Sequence, residues 1–169
     1  MTTSETGEIR KENINEDGVR IKRILVPLDG SNCSFRAAKY AIEAARLQKA
    51  QIFCVHVVTK IPYGYSLPGS SIDEYFENAK DQAQAWFNEV TYIATKGWTV
   101  KSDNVADIKT EVFRNVDSVT DAIIDYATKN KIDLIVIGTK GRTGLKRFLM
   151  GSVAQGVVQH AHCPVLLVR

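Results

Sequence analysis

The sequence has little cysteine and no long hydrophobic run, and these absences exclude several classes of protein. Its three cysteines, Cys33, Cys54 and Cys163, lie far apart without a C-x-x-C pair, so neither a disulfide framework nor a cysteine zinc site is indicated. No stretch approaches the roughly 18 apolar residues that a membrane-spanning helix needs. The first twenty residues also lack the apolar stretch of a secretory signal. We therefore expect a cytoplasmic protein without a membrane partner.

The remaining composition is that of one compact domain. The chain has 169 residues, of which 44% are hydrophobic and 24% are charged. This apolar content is enough for a single core and too high for a disordered protein. Residues 1–20 are polar and hold five acids and three bases, a net charge of −2. We expect them to form a flexible N-terminal arm that precedes a single domain over residues 21–169.

Positive charge is concentrated in one glycine-rich segment. The net charge of the whole chain is +3, and residues 139–152 alone hold four bases and no acid. A local basic excess suits a small anionic ligand, whereas a nucleic-acid surface needs a broader basic stripe. We therefore expect an anionic small molecule as ligand and no nucleic-acid partner.

Strand-like and helix-like segments alternate along the chain. Short apolar runs rich in β-branched residues predict buried strands, and apolar residues at three- and four-residue spacing predict helices. The strands are expected at residues 21–28, 51–58, 108–113, 132–137 and 164–168, and the helices at residues 31–48, 74–96, 116–127 and 153–161. The third strand alternates imperfectly, which is typical of a position near the sheet edge. This order predicts a doubly wound, Rossmann-like α/β domain with an open five-stranded parallel sheet.

Two residues at the predicted carboxyl end of this sheet are candidate ligand contacts. Sheets of this class bind ligands outside the carboxyl ends of the strands, where the strand order reverses. Asp29 follows the first strand and Gly138 follows the fourth, so the carboxylate should face the segment that begins at Gly138. The alternative role for Asp29 is an Asx turn or helix cap before Ser31.

The segment that begins at Gly138 has the composition of a phosphate-binding loop. Glycines at positions 138, 141, 144 and 151 follow a buried strand and end where a helix begins. Glycine lets backbone N–H groups approach phosphate oxygens, and a helix N-terminus adds unsatisfied donors. Ser152 would add a hydroxyl at the same point. The alternative is that Ser152 and Gln155 form an S-x-x-Q capping box, in which Ser152 only caps its helix.

The spacing Gly138-x2-Gly141-x9-Gly151-Ser152 resembles the ATP-binding signature G-x2-G-x9-G-[S/T] of the universal stress protein family. The similarity covers residues 21–169 and includes the segments VPLDGS, VHV, IVIG and HCPVLLV. It implies an ATP-binding regulatory or stress-response protein whose sheet has the strand order 3-2-1-4-5. Neither a Walker A loop nor a G-x-G-x-x-G fingerprint occurs in the sequence.

The same resemblance implies which residues bind the nucleotide. Asp29 would lie near the ribose or the phosphates and a bound Mg²⁺ or Mn²⁺, and the Val57 backbone would pair with the adenine edge. The glycine loop would wrap the ribose and phosphates. The complete set of implied ATP-binding residues is Pro27, Leu28, Asp29, Val57, Ile137, Gly138, Gly141, Arg142, Gly151, Ser152 and Val153.

Other residue types that often carry chemistry are assigned structural roles. His160, His162 and Cys163 lie close together in sequence, but they lack a distant partner at metal-ligand spacing, and we place them at a helix-to-strand connection. His56 lies within an apolar strand, which favours a hydrogen-bonded core histidine over a catalytic base. Trp86 falls on the apolar stripe of a helix and is interpreted as a core residue.

Two other functions share this fold, namely an ATP-hydrolysing or adenylating enzyme and a flavodoxin-like FMN binder. The sequence has no S-G-G-x-[DS] pyrophosphate loop and no clear nucleophile-base pair near the glycine loop, which disfavours a dedicated enzyme. Slow ATP hydrolysis remains compatible with the sequence. Residues 164–168 form an uncharged apolar strand that the expected order places at a sheet edge, where bare strands pair readily. We therefore expect a homodimer through this strand.

Overall fold

Five parallel strands alternate with four helices in the part of the chain that the structure describes. The computed structural model describes residues 18–61, 71–96, 107–141 and 150–169. The elements are β1 (Arg23–Pro27), α1 (Asn32–Gln48), β2 (Gln51–Thr59), α2 (Ile72–Lys96), β3 (Ile108–Val116), α3 (Val119–Lys129), β4 (Leu134–Gly138), α4 (Ser152–His160) and β5 (Val165–Val168). The strands pair in the order β3-β2-β1-β4-β5, all parallel. The predicted fold class and strand order are confirmed.

The third strand is longer than its sequence pattern predicts. It was expected over residues 108–113, and it continues to Val116. Asn115 adopts a left-handed backbone with φ of 59°, which lets the strand bulge and still pair Thr59 with Val116. The strand lies at the sheet edge, as its imperfect alternation predicts.

The sheet separates two apolar layers, because successive side chains of a strand point to opposite faces. Ile24, Val26 and Cys54 pack with helices α1 and α2, whereas Leu25 and Ile135 pack with α3 and α4. Burial raises the pKa of Cys54 to about 12, so this thiol stays neutral and structural. Among the described residues, no helix is long and apolar enough to cross a membrane.

A helix cap and close packing at two glycines stabilise the turn between β1 and α1. Ser31 caps α1, because its hydroxyl oxygen accepts a hydrogen bond from the Ser34 backbone N–H at 3.2 Å. Gly30 has φ of 78°, and a Cβ atom there would lie 2.4 Å from the Trp86 ring. A Cβ atom on Gly138 would lie 2.8 Å from the Cys33 carbonyl carbon. The first turn of α1 therefore lies directly against the end of β4.

Gly30→Ala should lower the free energy of unfolding by about 2–4 kcal/mol, since it combines a left-handed backbone with overpacking against Trp86. Gly18→Ala is the matched control, because a Cβ atom there meets no other atom within 4 Å. Urea denaturation followed by circular dichroism measures both variants. Equal stability of the Gly30→Ala variant and the parent protein would contradict the close contact with Trp86.

Candidate functional site

The candidate site is a pocket at the carboxyl ends of β1 and β4. The structure brings ten of the eleven predicted binding residues together in its lining, which includes Pro27, Leu28, Asp29, Val57, Ile137, Gly138, Gly141, Gly151, Ser152 and Val153. Arg142 lies outside the described residues. The pocket lies where the chain leaves β1 toward α1 on one face of the sheet and leaves β4 toward α4 on the other. This is the switch point at which doubly wound sheets bind ligands.

Asp29 forms the Asx turn that its sequence position suggests, and its carboxylate also lies beside the glycine-rich segment. One carboxylate oxygen, Oδ1, accepts a hydrogen bond from the Ser31 backbone N–H at 3.0 Å, which is an Asx turn. The other oxygen, Oδ2, lies 2.7 Å from the position that a Cβ atom on Gly141 would take. Glycine at position 141 therefore lets the loop backbone approach the carboxylate.

The backbone of Val57 faces the pocket because β1, the neighbouring strand, ends before it reaches the level of Val57. Val55 uses its carbonyl oxygen to accept a hydrogen bond from the Leu28 N–H at 2.8 Å, on the side of β2 that faces β1. Backbone groups two residues apart in a strand point to the same side, so the N–H and C=O of Val57 point past the end of β1. That end is Pro27, and the space beyond it is the pocket.

Apolar and polar residues that the sequence analysis missed also line the pocket. Val119 and Ile123 from α3 and Ala154 from α4 form an apolar wall. Thr139 follows Gly138, and its buried hydroxyl has no hydrogen-bond partner among the described residues. Thr139 could have been identified from the sequence, because its hydroxyl lies within the glycine-rich segment. Nothing local in the sequence distinguishes Val119 and Ile123 from core residues.

The capping-box alternative for Ser152 is wrong. Gly151 is the N-cap residue of α4, with φ of −64° and ψ of 148°, and Ser152 is the first helical residue. The Gly151 N–H donates to the Thr139 carbonyl oxygen at 2.8 Å, which ties the start of α4 to the end of β4. The Ser152 side chain is exposed and caps nothing, because a first-turn residue past the N-cap no longer faces the free N–H groups in capping geometry.

The histidine and tryptophan residues near the site are structural. The His56 ring donates from Nδ1 to the Leu28 carbonyl oxygen at 2.7 Å and packs edge-on against Trp86, with ring centroids 5.0 Å apart. His160 is the last residue of α4, and His162 lies in the connection from α4 to β5. Among the described residues, no group of three histidine, cysteine or acidic side chains is arranged to hold a metal ion.

Comparison with known proteins shows the family to which the chain belongs. The model of the universal stress protein family matches residues 20–169. The chain belongs to the universal stress protein family. It is 40% identical over 149 residues to a universal stress protein of Methanocaldococcus jannaschii, over 88% of this chain and 82% of that relative. The family membership that the sequence resemblance predicts is therefore confirmed.

Two solved structures of the family share the fold. A universal stress protein from Lactobacillus plantarum is 28% identical, covers 89% of this chain and 99% of its own, and superposes with a TM-score of 0.67. A universal stress protein from Archaeoglobus fulgidus in complex with dAMP is 26% identical, covers 89% and 100% of the two chains, and has a TM-score of 0.60.

Ser152→Ala should leave the free energy of unfolding within about 0.5 kcal/mol of the parent protein, since the hydroxyl caps no helix. Ser118→Ala is the matched control, because the Ser118 hydroxyl accepts from the Asp121 N–H at 3.2 Å and caps α3. Loss of that cap should cost about 1 kcal/mol. Chemical denaturation measures both variants. An equal loss in the two would show that Ser152 stabilises α4 after all.

Proposed function

We propose that this universal stress protein binds ATP in the pocket at the carboxyl ends of β1 and β4 and acts as a cytoplasmic stress-response regulator. The observation that carries the proposal is the pocket's composition. An apolar wall, the open backbone of Val57 and the start of α4 are exposed to one cavity, and these are the three surfaces that a base and its phosphates require. The dAMP complex of the Archaeoglobus fulgidus relative supports an adenine nucleotide as the ligand.

The backbone of Val57 is suited to adenine rather than guanine. One strand residue offers one N–H donor and one C=O acceptor in fixed positions. Adenine presents an amino donor beside a ring-nitrogen acceptor, which complements this pair, whereas guanine carries an oxygen acceptor at the corresponding place. The apolar residues Val119 and Ile123 would cover the faces of the base.

The phosphates would lie at the start of α4. The first turn of a helix leaves N–H groups without intrahelical partners and carries a partial positive charge. The Ser152 hydroxyl stands at that turn, and the buried Thr139 hydroxyl has no partner among the described residues, so an acceptor on the nucleotide would satisfy it. Gly141 and Gly151 add no side chain to this part of the pocket lining.

A divalent cation fits this site only together with the nucleotide. Asp29 is the one carboxylate in the described lining of the pocket, and the described residues form no three-ligand metal group. Mg²⁺ commonly binds through one or two carboxylates plus substrate phosphates and water. Asp29 would therefore supply one oxygen ligand to Mg²⁺ or Mn²⁺ carried by ATP.

The rival function is an ATP-hydrolysing or adenylating enzyme. The described lining contains no histidine or cysteine, the side chains that most often act as base or nucleophile. Asp29 is already engaged in its Asx turn through Oδ1. This composition favours binding over fast turnover and leaves slow hydrolysis compatible with the site. Mass spectrometry of nucleotides released from the purified protein distinguishes bound ATP from accumulated ADP and from FMN.

ATP should bind at least about tenfold more tightly than GTP, the difference expected when buried hydrogen-bonding groups are mismatched. Ser152→Ala should lower the ATP affinity about tenfold, because one hydrogen bond to a charged phosphate is lost. Calorimetric titration of the parent protein with both nucleotides tests the first statement, and titration of the variant with ATP tests the second.

Ser118→Ala provides the control for this titration, since it weakens α3 without removing a residue from the pocket lining. It should keep the ATP affinity of the parent protein while losing stability. Equal affinity for ATP and GTP would remove the Val57 backbone from base recognition. Unchanged ATP affinity in the Ser152→Ala variant would remove the start of α4 from phosphate binding.

We further propose that the protein is a homodimer through β5. This strand pairs with β4 on one side only, and its Leu166 side chain is 40% exposed. The other edge strand, β3, exposes the charged residues Lys109, Glu111 and Arg114, which protect an edge from pairing. An apolar edge without such charges is best covered by a second copy across a two-fold axis.

Leu166→Lys should convert the dimer to a monomer, because a two-fold contact brings the introduced charges together. Val168 is unsuitable for this test, since it is 6% exposed and belongs to the core. Leu47→Lys on α1 is the matched control, as Leu47 is 84% exposed and lies outside β5. Sedimentation velocity of the parent protein and the two variants measures whether each is a dimer or a monomer. A parent protein that stays monomeric at high concentration would contradict the proposal.

A further inference from the structure

A second pocket, which we call the basic pocket, opens at the amino ends of the strands. It has a cavity volume of about 330 Å³, and four of its seven lining residues are cationic: Arg23 of β1, Lys109 of β3, and Lys129 and Lys131 at the end of α3. The nucleotide site lies at the carboxyl ends of the same strands. The two pockets therefore lie at opposite ends of the sheet and share no lining residue.

The four cations of the basic pocket have no ion-pair partner among the described residues. Three nearby acids interact with groups other than the four cationic side chains. Asp133 accepts hydrogen bonds from the backbone N–H groups of Lys22 and Arg23. Asp107 accepts one from the Gln51 side chain. Neither carboxylate forms an ion pair with the four cations.

Glu111, the third acid, interacts with Tyr126. Burial, and to a smaller extent the Glu111 carboxylate, raise the pKa of Tyr126 to about 12. Tyr126 also packs edge-on against Phe53 at 6.2 Å between ring centroids. The Glu111 carboxylate therefore lies close enough to Tyr126 to affect its pKa, and it forms no ion pair with the four cations.

The side chains of Lys129 and Lys131 are not required to cap α3. The carbonyl oxygen of Ala127 accepts from the Ile132 N–H at 2.9 Å, and that of Thr128 accepts from the Lys131 N–H at 3.1 Å. These two bonds form a Schellman motif, in which glycine usually takes the left-handed position. Lys131 occupies that position with φ of 50°. The chain thus places a lysine where glycine would be less strained.

Arg23 gives the pocket a fixed donor. Its Nη1 donates to the Asn130 carbonyl oxygen at 2.6 Å, which orients the planar guanidinium and leaves its other N–H groups for an acceptor. A guanidinium held in this way matches the oxygens of phosphate. Lys109 lies over the Phe53 ring, 5.6 Å from its centroid, so the one aromatic side chain of the lining is covered and offers no surface for a stacked base.

We propose that the basic pocket binds a small polyanion, a ligand with a di- or triphosphate group, independently of the nucleotide site. The cations converge on one cavity rather than along a stripe, which distinguishes this pocket from a nucleic-acid surface. The covered Phe53 ring favours a phosphate chain over a nucleobase as the group recognised.

The test uses inorganic tripolyphosphate and two lysine-to-glycine variants of the full chain. Lys131→Gly removes one cation of the pocket and relaxes its left-handed backbone. Lys49→Gly is the matched control, because Lys49 ends α1 with φ of 55° at the same end of the sheet but outside the pocket lining. Both variants should unfold at the same or higher temperature than the parent protein, so loss of the fold does not confound the result.

Calorimetric titration at low ionic strength should show that Lys131→Gly weakens tripolyphosphate binding about fivefold or more, whereas Lys49→Gly leaves it unchanged. Equal weakening in both variants would show that only the overall charge attracts the anion and would overturn the proposal. Parent-like affinity in Lys131→Gly would overturn it too.

Ser152→Ala separates the basic pocket from the nucleotide site. Tripolyphosphate binding should persist in this variant, and ATP binding should persist in Lys131→Gly. If Ser152→Ala removes tripolyphosphate binding, the anion occupies the nucleotide site and the basic pocket is not its receptor. If the parent protein binds tripolyphosphate through Lys131 but does not bind ATP, the proposed nucleotide function fails and the basic pocket stands.

Discussion

The hydrogen bonds between Asp133 and the start of β1 are the interaction on which both ends of the sheet depend. The carboxylate of Asp133 accepts the backbone N–H groups of Lys22 and Arg23 at 2.8 and 2.9 Å, and its own N–H donates to the Arg23 carbonyl oxygen at 3.0 Å. These bonds set the register in which β1 and β4 pair. Because the register is set, Asp29 and Gly141, which are distant in sequence, meet at the other end of the strands.

The two anion sites that we propose at the ends of the sheet differ in the groups that would donate hydrogen bonds. At the carboxyl end the donors are backbone groups, namely the first turn of α4 and the open strand at Val57, and glycines keep them accessible. At the amino end the donors are side chains, with Arg23 fixed by the Asn130 carbonyl oxygen and three lysines around it. Parallel strands produce this division, because every crossover returns the chain to the same end of the sheet.

Local patterns predicted most of the elements, and the errors have local physical causes. The extension of β3 depends on the left-handed conformation of Asn115, which an alternation pattern does not encode. The S-x-x-Q pattern at Ser152 suggested a capping box, but that spacing alone does not show which residue has the first helical backbone angles. Here Gly151 is the N-cap. Thr139 was missed because a single hydroxyl beside a glycine is common in turns.

By itself, the sequence determined the alternation of strands and helices, the glycine spacing and the family, because each of these depends on residues that are close together in the chain. The tertiary structure alone decided which groups face each other. The Val57 backbone is open only because β1 stops at Pro27, which pairs with Val55. The cations of the basic pocket come from β1, β3 and the carboxyl-terminal end of α3. Such contacts join residues far apart in the chain, so they follow from strand register and crossover direction rather than from any local pattern.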